Sequence, residues 1–74
     1  MQFTVKLFAH LKDRFGETVN VESEPTSGAL LTALAEQGLP VETSRLAVNL
    51  RFVRGATELS AADELALIPP VSGG

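Results

Sequence analysis

With 74 residues, 45% of them hydrophobic, and a net charge of −3, the chain is sized for one domain with a small core. It has no cysteine, which excludes disulfides, thiolate metal ligands and any sulfur chemistry through a thiol side chain of its own. Scattered acids and bases argue against nucleic acid as a partner. No stretch nears the roughly 18 apolar residues of a membrane span, and charges at Lys6, Lys12, Asp13 and Arg14 break up any signal-type N-terminus, so a cytoplasmic location is expected.

Residues 2–8, QFTVKLF, alternate as a half-buried strand with Phe3, Val5 and Leu7 on one face. Phe8 breaks the pattern by adding an apolar side chain to the polar face. A short helix is predicted over 9–15, with Phe8, Leu11 and Phe15 in helical register and Gly16 as its stop. TVNVE, 18–22, reads as a second strand with Val19 and Val21 inward. The main helix is predicted over 27–37, capped by Thr26, with Leu30, Leu31 and Leu34 as its buried stripe. Gly38 ends it, and Pro40 prevents a restart.

LAVNLRFV, 46–53, is predicted as a third strand. RGATELSAAD reads as turn, short edge strand and turn, and ELALI, 64–68, as the last strand with Leu65 and Leu67 on one face. Strands around one long helix imply an α+β layer arrangement, a mixed sheet packed on one main helix. That order matches a β-grasp, or ubiquitin-like, fold, in which the first two strands pair antiparallel and the first and last run parallel side by side. The expected organisation is a β-grasp domain over 1–69 and an extended, flexible Gly-Gly tail over 70–74.

The tail, PPVSGG, is the first candidate for function. Pro69 and Pro70 end strand pairing and fix φ, so the chain projects outward from a stiff root. Gly73 and Gly74 lack a Cβ and so fit a narrow channel. From Pro70 to Gly74 the extended reach is about 17 Å. The plain alternative is a frayed end.

The second candidate is a surface. Phe8 and Ile68 are both out of phase with their buried neighbours. If the first and last strands are parallel neighbours, both side chains lie at one end of the open sheet face beside the tail root, a partner interface. Phe8 reads alternatively as core beneath the short helix. His10, the one histidine, reads as a solvated helix residue, Asp63 and Glu64 as turn and edge residues, and Asn49 as a strand residue bonded to backbone. Arg51 and Arg54 read either as a solvated rim or as contacts to an acidic partner.

LFAHLKDRFG (7–16), AVN (47–49) and DELALIPPVSGG (63–74) resemble, in order and spacing, the MoaD/ThiS sulfur carriers, most closely those serving molybdopterin synthase as its small subunit. The resemblance spans essentially the whole chain. It implies that Gly74, with Gly73 before it, is the reactive end: an E1-like adenylating enzyme activates its carboxylate with ATP, and a sulfur donor converts it to a thiocarboxylate. It implies insertion of the tail, Pro69, Pro70, Val71 and Ser72 included, into the large subunit, where sulfur passes to cyclic pyranopterin monophosphate in molybdenum cofactor biosynthesis. Positions matching Phe8, Phe52 and Ile68 belong to the partner-contacting surface of such carriers, although Phe52 also reads as core.

No bound cofactor or metal is implied, and no membrane contact. The carrier is expected to be a monomer when free, non-catalytic alone, and part of a heterotetramer when docked. The alternatives are a carrier for thiazole, cysteine or tRNA thiolation, a ubiquitin-like protein modifier, or a binding domain with an inert tail. Two positions depart from the family pattern: Ala62 stands where glycine often precedes Asp63, and Lys12 where arginine is frequent. The first predicts an altered or strained turn, and the second loses a planar fork at docking.

Overall fold

The chain's computed structural model describes residues 1–53 and 56–70. β1 (Gln2–Leu7) alternates exposed and buried side chains without interruption, as its sequence requires. α1 (Ala9–Phe15) follows at once and buries Leu11. β2 (Thr18–Glu22) returns antiparallel to β1, with Phe3 opposite Val21 and Val5 opposite Val19. Gly16, at φ 97°, and Gly38, at φ 93°, supply the left-handed conformations that close the two helices.

α2 (Ser27–Glu36) begins where predicted, and the Oγ1 of Thr26 accepts the N–H of Ala29 at 3.2 Å. Such a cap is worth about 1 kcal/mol. Leu30 and Leu34 are fully buried, while Leu31 only borders the core. A single 3-10 turn, Val41–Thr43, leads to β3 (Arg45–Val48), β4 (Arg51–Phe52) and β5 (Leu65–Ile68). The sheet order is β2-β1-β5-β3-β4, with β5 parallel to β1 and every other pairing antiparallel. This is the α+β, β-grasp architecture expected.

Helix α2 and the inner side chains of the sheet make one core: Phe3, Val5, Leu7, Val21, Leu46, Val48, Leu65 and Leu67 meet Leu11, Leu30, Leu34, Leu39 and Leu59. Burying each of the larger of these side chains contributes about 1.5–3 kcal/mol. Among the described residues no helix covers the opposite face of the sheet, and its side chains are those that alternate with the core set.

Two predicted elements differ. The strand expected over 46–53 is a hairpin: β3 and β4 pair antiparallel around Asn49 and Leu50, both left-handed, at φ 53° and 69°. No glycine or proline interrupts residues 46–53, so the apolar run reads as one strand, whereas the two-residue turn pairs residues of opposite parity and moves Phe52 to the face of Ala47. The short edge strand sought within 54–63 is a single bridge, Glu58 with Thr26, and Arg54 and Gly55 lie outside the described residues. Ser27 anchors that bridge, its N–H donating to the Thr57 carbonyl at 2.8 Å and its Oγ accepting the Thr57 N–H at 3.0 Å.

Candidate functional site

The parallel β1–β5 pair sets the geometry at the tail root. Leu7 is aligned with Leu67, so Phe8 and Ile68 follow at the same end of the sheet. Phe8 keeps an extended backbone, φ −131° and ψ 159°, before the chain turns into α1. Its ring therefore continues the alternation onto the open face and is 46% exposed. It does not lie in the core beneath α1. As the residue capping α1 it supplies no side-chain hydrogen bond, although Ser, Thr, Asp or Asn is preferred there.

β3 and β4 complete the face. Ala47 is the cross-strand partner of both Ala66 and Phe52, which puts these three in one row, and Phe52 is half exposed. The next row holds Arg45 opposite Ile68. The guanidinium of Arg45 stacks over the Phe52 ring, 4.6 Å from its centroid. Pro69 is buried and Pro70 exposed. Val71, Ser72, Gly73 and Gly74, the remainder of the predicted site, lie outside the described residues.

At the far end of β5 the hairpin turn is clamped. Asn49 Nδ2 donates to Asp63 Oδ1 at 3.0 Å, and its Oδ1 accepts the N–H of Glu64 at 2.9 Å. The Asn49 N–H donates to the Glu64 carbonyl at 2.8 Å. Asn49 thus bonds backbone as expected, but from a turn rather than a strand. The Asn49 bond, and after it the Ser60 N–H on Oδ2 at 2.7 Å, hold the Asp63 carboxyl below its ordinary 3.8. Ala62 does not have a positive φ, so it carries none of the left-handed strain that replacing a glycine raised.

A shallow depression of about 270 Å³ beside Phe8 is lined by Lys6, Leu7, Phe8, Lys12, Glu17 and Thr18. Its cations are already paired, Lys6 with Glu64 at 3.5 Å and Lys12 with Glu17 at 3.8 Å. Among the described residues no group of three or more His, Cys, Asp or Glu side chains is placed to hold a metal, and His10 is exposed. No helix among them is long and apolar enough to cross a membrane.

Sequence reasoning brought Phe8 and Ile68 together correctly, because strand parity carries that information. It passed over Arg45, which the β3–β5 register puts beside Ile68, and Leu50, 85% exposed and the most exposed large hydrophobe among the described residues.

Comparison with known proteins agrees with this architecture. The model of the ThiS family matches residues 5–74. SAMP1 from Haloferax volcanii superposes with a TM-score of 0.74 at 31% identity, each chain covered over its whole length. A chain from the complex of subunits 1 and 2 of the molybdopterin-converting factor of Helicobacter pylori 26695 gives the same TM-score at 24% identity, again with both chains fully covered. No curated protein matches the chain by sequence. A family match over nearly all of the chain, on a sheet of the expected order, makes this protein a member of the ThiS family.

Proposed function

We propose that this protein is a sulfur carrier of molybdenum cofactor biosynthesis, acting as the small, sulfur-donating subunit of molybdopterin synthase. Family membership through residue 74, the PPVSGG tail included, is the observation that carries this reading. The Gly74 carboxylate attacks the α-phosphate of ATP on an E1-like adenylating enzyme, releasing pyrophosphate and forming an acyl-adenylate. A sulfur donor then displaces AMP and leaves a thiocarboxylate. Splitting one hard substitution into two easier ones is covalent catalysis divided between proteins. ATP is consumed by the partner, and the carrier binds no cofactor of its own.

The surface around the tail root supports docking. Phe8, Phe52 and Ile68 offer apolar area where Pro69 and Pro70 lead out, so a large subunit that covers them receives the tail, Val71 to Gly74, in its active site. The carrier is a monomer when free and part of a heterotetramer with the large subunit in this reading.

Intact mass of the protein isolated from its own host, before and after treatment with a thiol alkylator, tests the chemistry. A fraction heavier by the difference between sulfur and oxygen, and fully alkylatable, is expected, since no cysteine competes. No alkylatable form even with ATP, adenylating enzyme and sulfur source supplied overturns it.

At 24% identity the molybdopterin-converting factor chain shows the fold and not the acceptor, so a second reading keeps the same activated terminus with a different acceptor. Thiocarboxylated protein that leaves cyclic pyranopterin monophosphate unconverted with a large subunit supports that reading. Conjugate ladders dependent on Gly74 point instead to a protein modifier.

A further inference from the structure

This inference rests on the docking reading above and concerns what the partner must carry. Arg45 opens β3, is exposed, and faces Ile68 across the sheet, two residues before Pro70. Phe52 holds its guanidinium from one side at 4.6 Å. Ala47 and Ala66 form a floor of small side chains next to this stack. Among the described residues Lys6 and Lys12 each have a carboxylate within 4 Å, whereas no ion pair involves Arg45.

A guanidinium stacked on an aromatic ring is pre-oriented and already desolvated on one face, so docking costs it little further freedom. A partner resting on Phe8, Phe52 and Ile68 also covers Arg45. Covering an unpaired cation without a counter-charge opposes binding strongly, and the planar fork of arginine matches a carboxylate through two parallel hydrogen bonds. We propose that Arg45, held by Phe52, is a docking residue at the tail root that receives an Asp or Glu side chain of the large subunit. The chain as a whole carries −3 and so does not draw in an acidic protein in bulk. Attraction confined to this one position therefore fixes the partner's orientation, and with it the line along which the tail enters.

The test titrates the full chain, by calorimetry, into the adenylating enzyme and the large subunit encoded in the same genome. Arg45→Gln is expected to weaken binding to the large subunit by about thirtyfold or more, the range for truncating one member of a buried charge pair. Arg45→Lys should fall between the two, because lysine keeps the charge and loses the fork and the stack. Phe52→Leu should weaken binding in the same direction. Arg51→Gln is the control: Arg51 lies on the same hairpin but opposite the core residue Val48, and the change should alter affinity by less than about threefold.

Thermal melts establish that each variant is folded, and Arg45→Lys serves if the glutamine variant is not. Equal affinities of wild type, Arg45→Gln and Arg45→Lys for the large subunit overturn the proposal, whatever the adenylating enzyme shows. If the wild type does not bind the large subunit, the docking reading fails first and takes this inference with it, an outcome the wild-type titration reports alone.

Discussion

Asn49 and Asp63 are joined side chain to side chain at 3.0 Å, and through that bond the β3–β4 turn is tied to the start of β5. The Oδ1 of the same carboxamide takes the Glu64 N–H. Asn49 also occupies a left-handed conformation, φ 53°, that asparagine tolerates better than most residues. Replacing it with alanine removes both bonds and the conformational tolerance together. Asn49→Ala is expected to lower stability by about 1–3 kcal/mol, read as a lower urea midpoint at unchanged slope.

The same bond gives the acid limb of stability a specific source. The folded-state carboxyl of Asp63 titrates below its ordinary 3.8, so its contribution is complete above that value and is lost as pH falls through the depressed one. Carboxyl NMR titration of the wild type should place the Asp63 midpoint below 3.8. In Asn49→Ala the Asp63 midpoint should move up toward its ordinary value, because the larger of its two stabilising bonds is gone. An unchanged midpoint contradicts this account.

Leu50 sits at φ 69° with 85% of its surface exposed. A branched apolar side chain pays for this left-handed conformation and gains almost no burial in return. Glycine at the second position of a two-residue hairpin turn removes the strain, and Asn-Gly is the pair such turns prefer. Leu50→Gly is therefore expected to raise stability by about 0.5–1 kcal/mol in denaturant unfolding, after allowing for the greater freedom of glycine in the unfolded chain.

Phe8 occupies a helix-capping position without capping. Phe8→Ser offers the α1 N–H groups a hydroxyl and removes a half-exposed ring, so the thermal midpoint should hold or rise. Binding to the large subunit should instead weaken by about tenfold or more, as for loss of an aromatic anchor at an interface centre. A fall in the midpoint comparable to a core truncation, with binding intact, would assign the ring to folding rather than docking.

Most of the fold was legible because its signals are local. Period-2 alternation located β1, β2 and β5. The Thr26 cap and the Leu30 and Leu34 spacing located α2, and Gly16 and Gly38 marked where helices end. The β3–β4 hairpin was hidden for a physical reason: Asn49–Leu50 has no glycine or proline to signal a turn, and each arm is too short for the reversal of parity at Phe52 to show as a break in the apolar run. The bridge of Glu58 to Thr26 was hidden differently, since a one-residue pairing has no periodicity to read.

By itself, then, the sequence determined one domain without thiol chemistry, its sequence of strands and helices, and a tail of PPVSGG, all properties of composition and near-neighbour spacing. Tertiary structure alone decided what stands next to what. It paired Arg45 with Phe52 and Ile68, turned Phe8 outward, and clamped Asn49 onto Asp63. These contacts come from register between strands remote in the chain. Register is selected by burying the shared face of Val5, Leu7, Leu46, Val48, Leu65 and Leu67 under α2, an energy that belongs to the assembled sheet and to no segment of it.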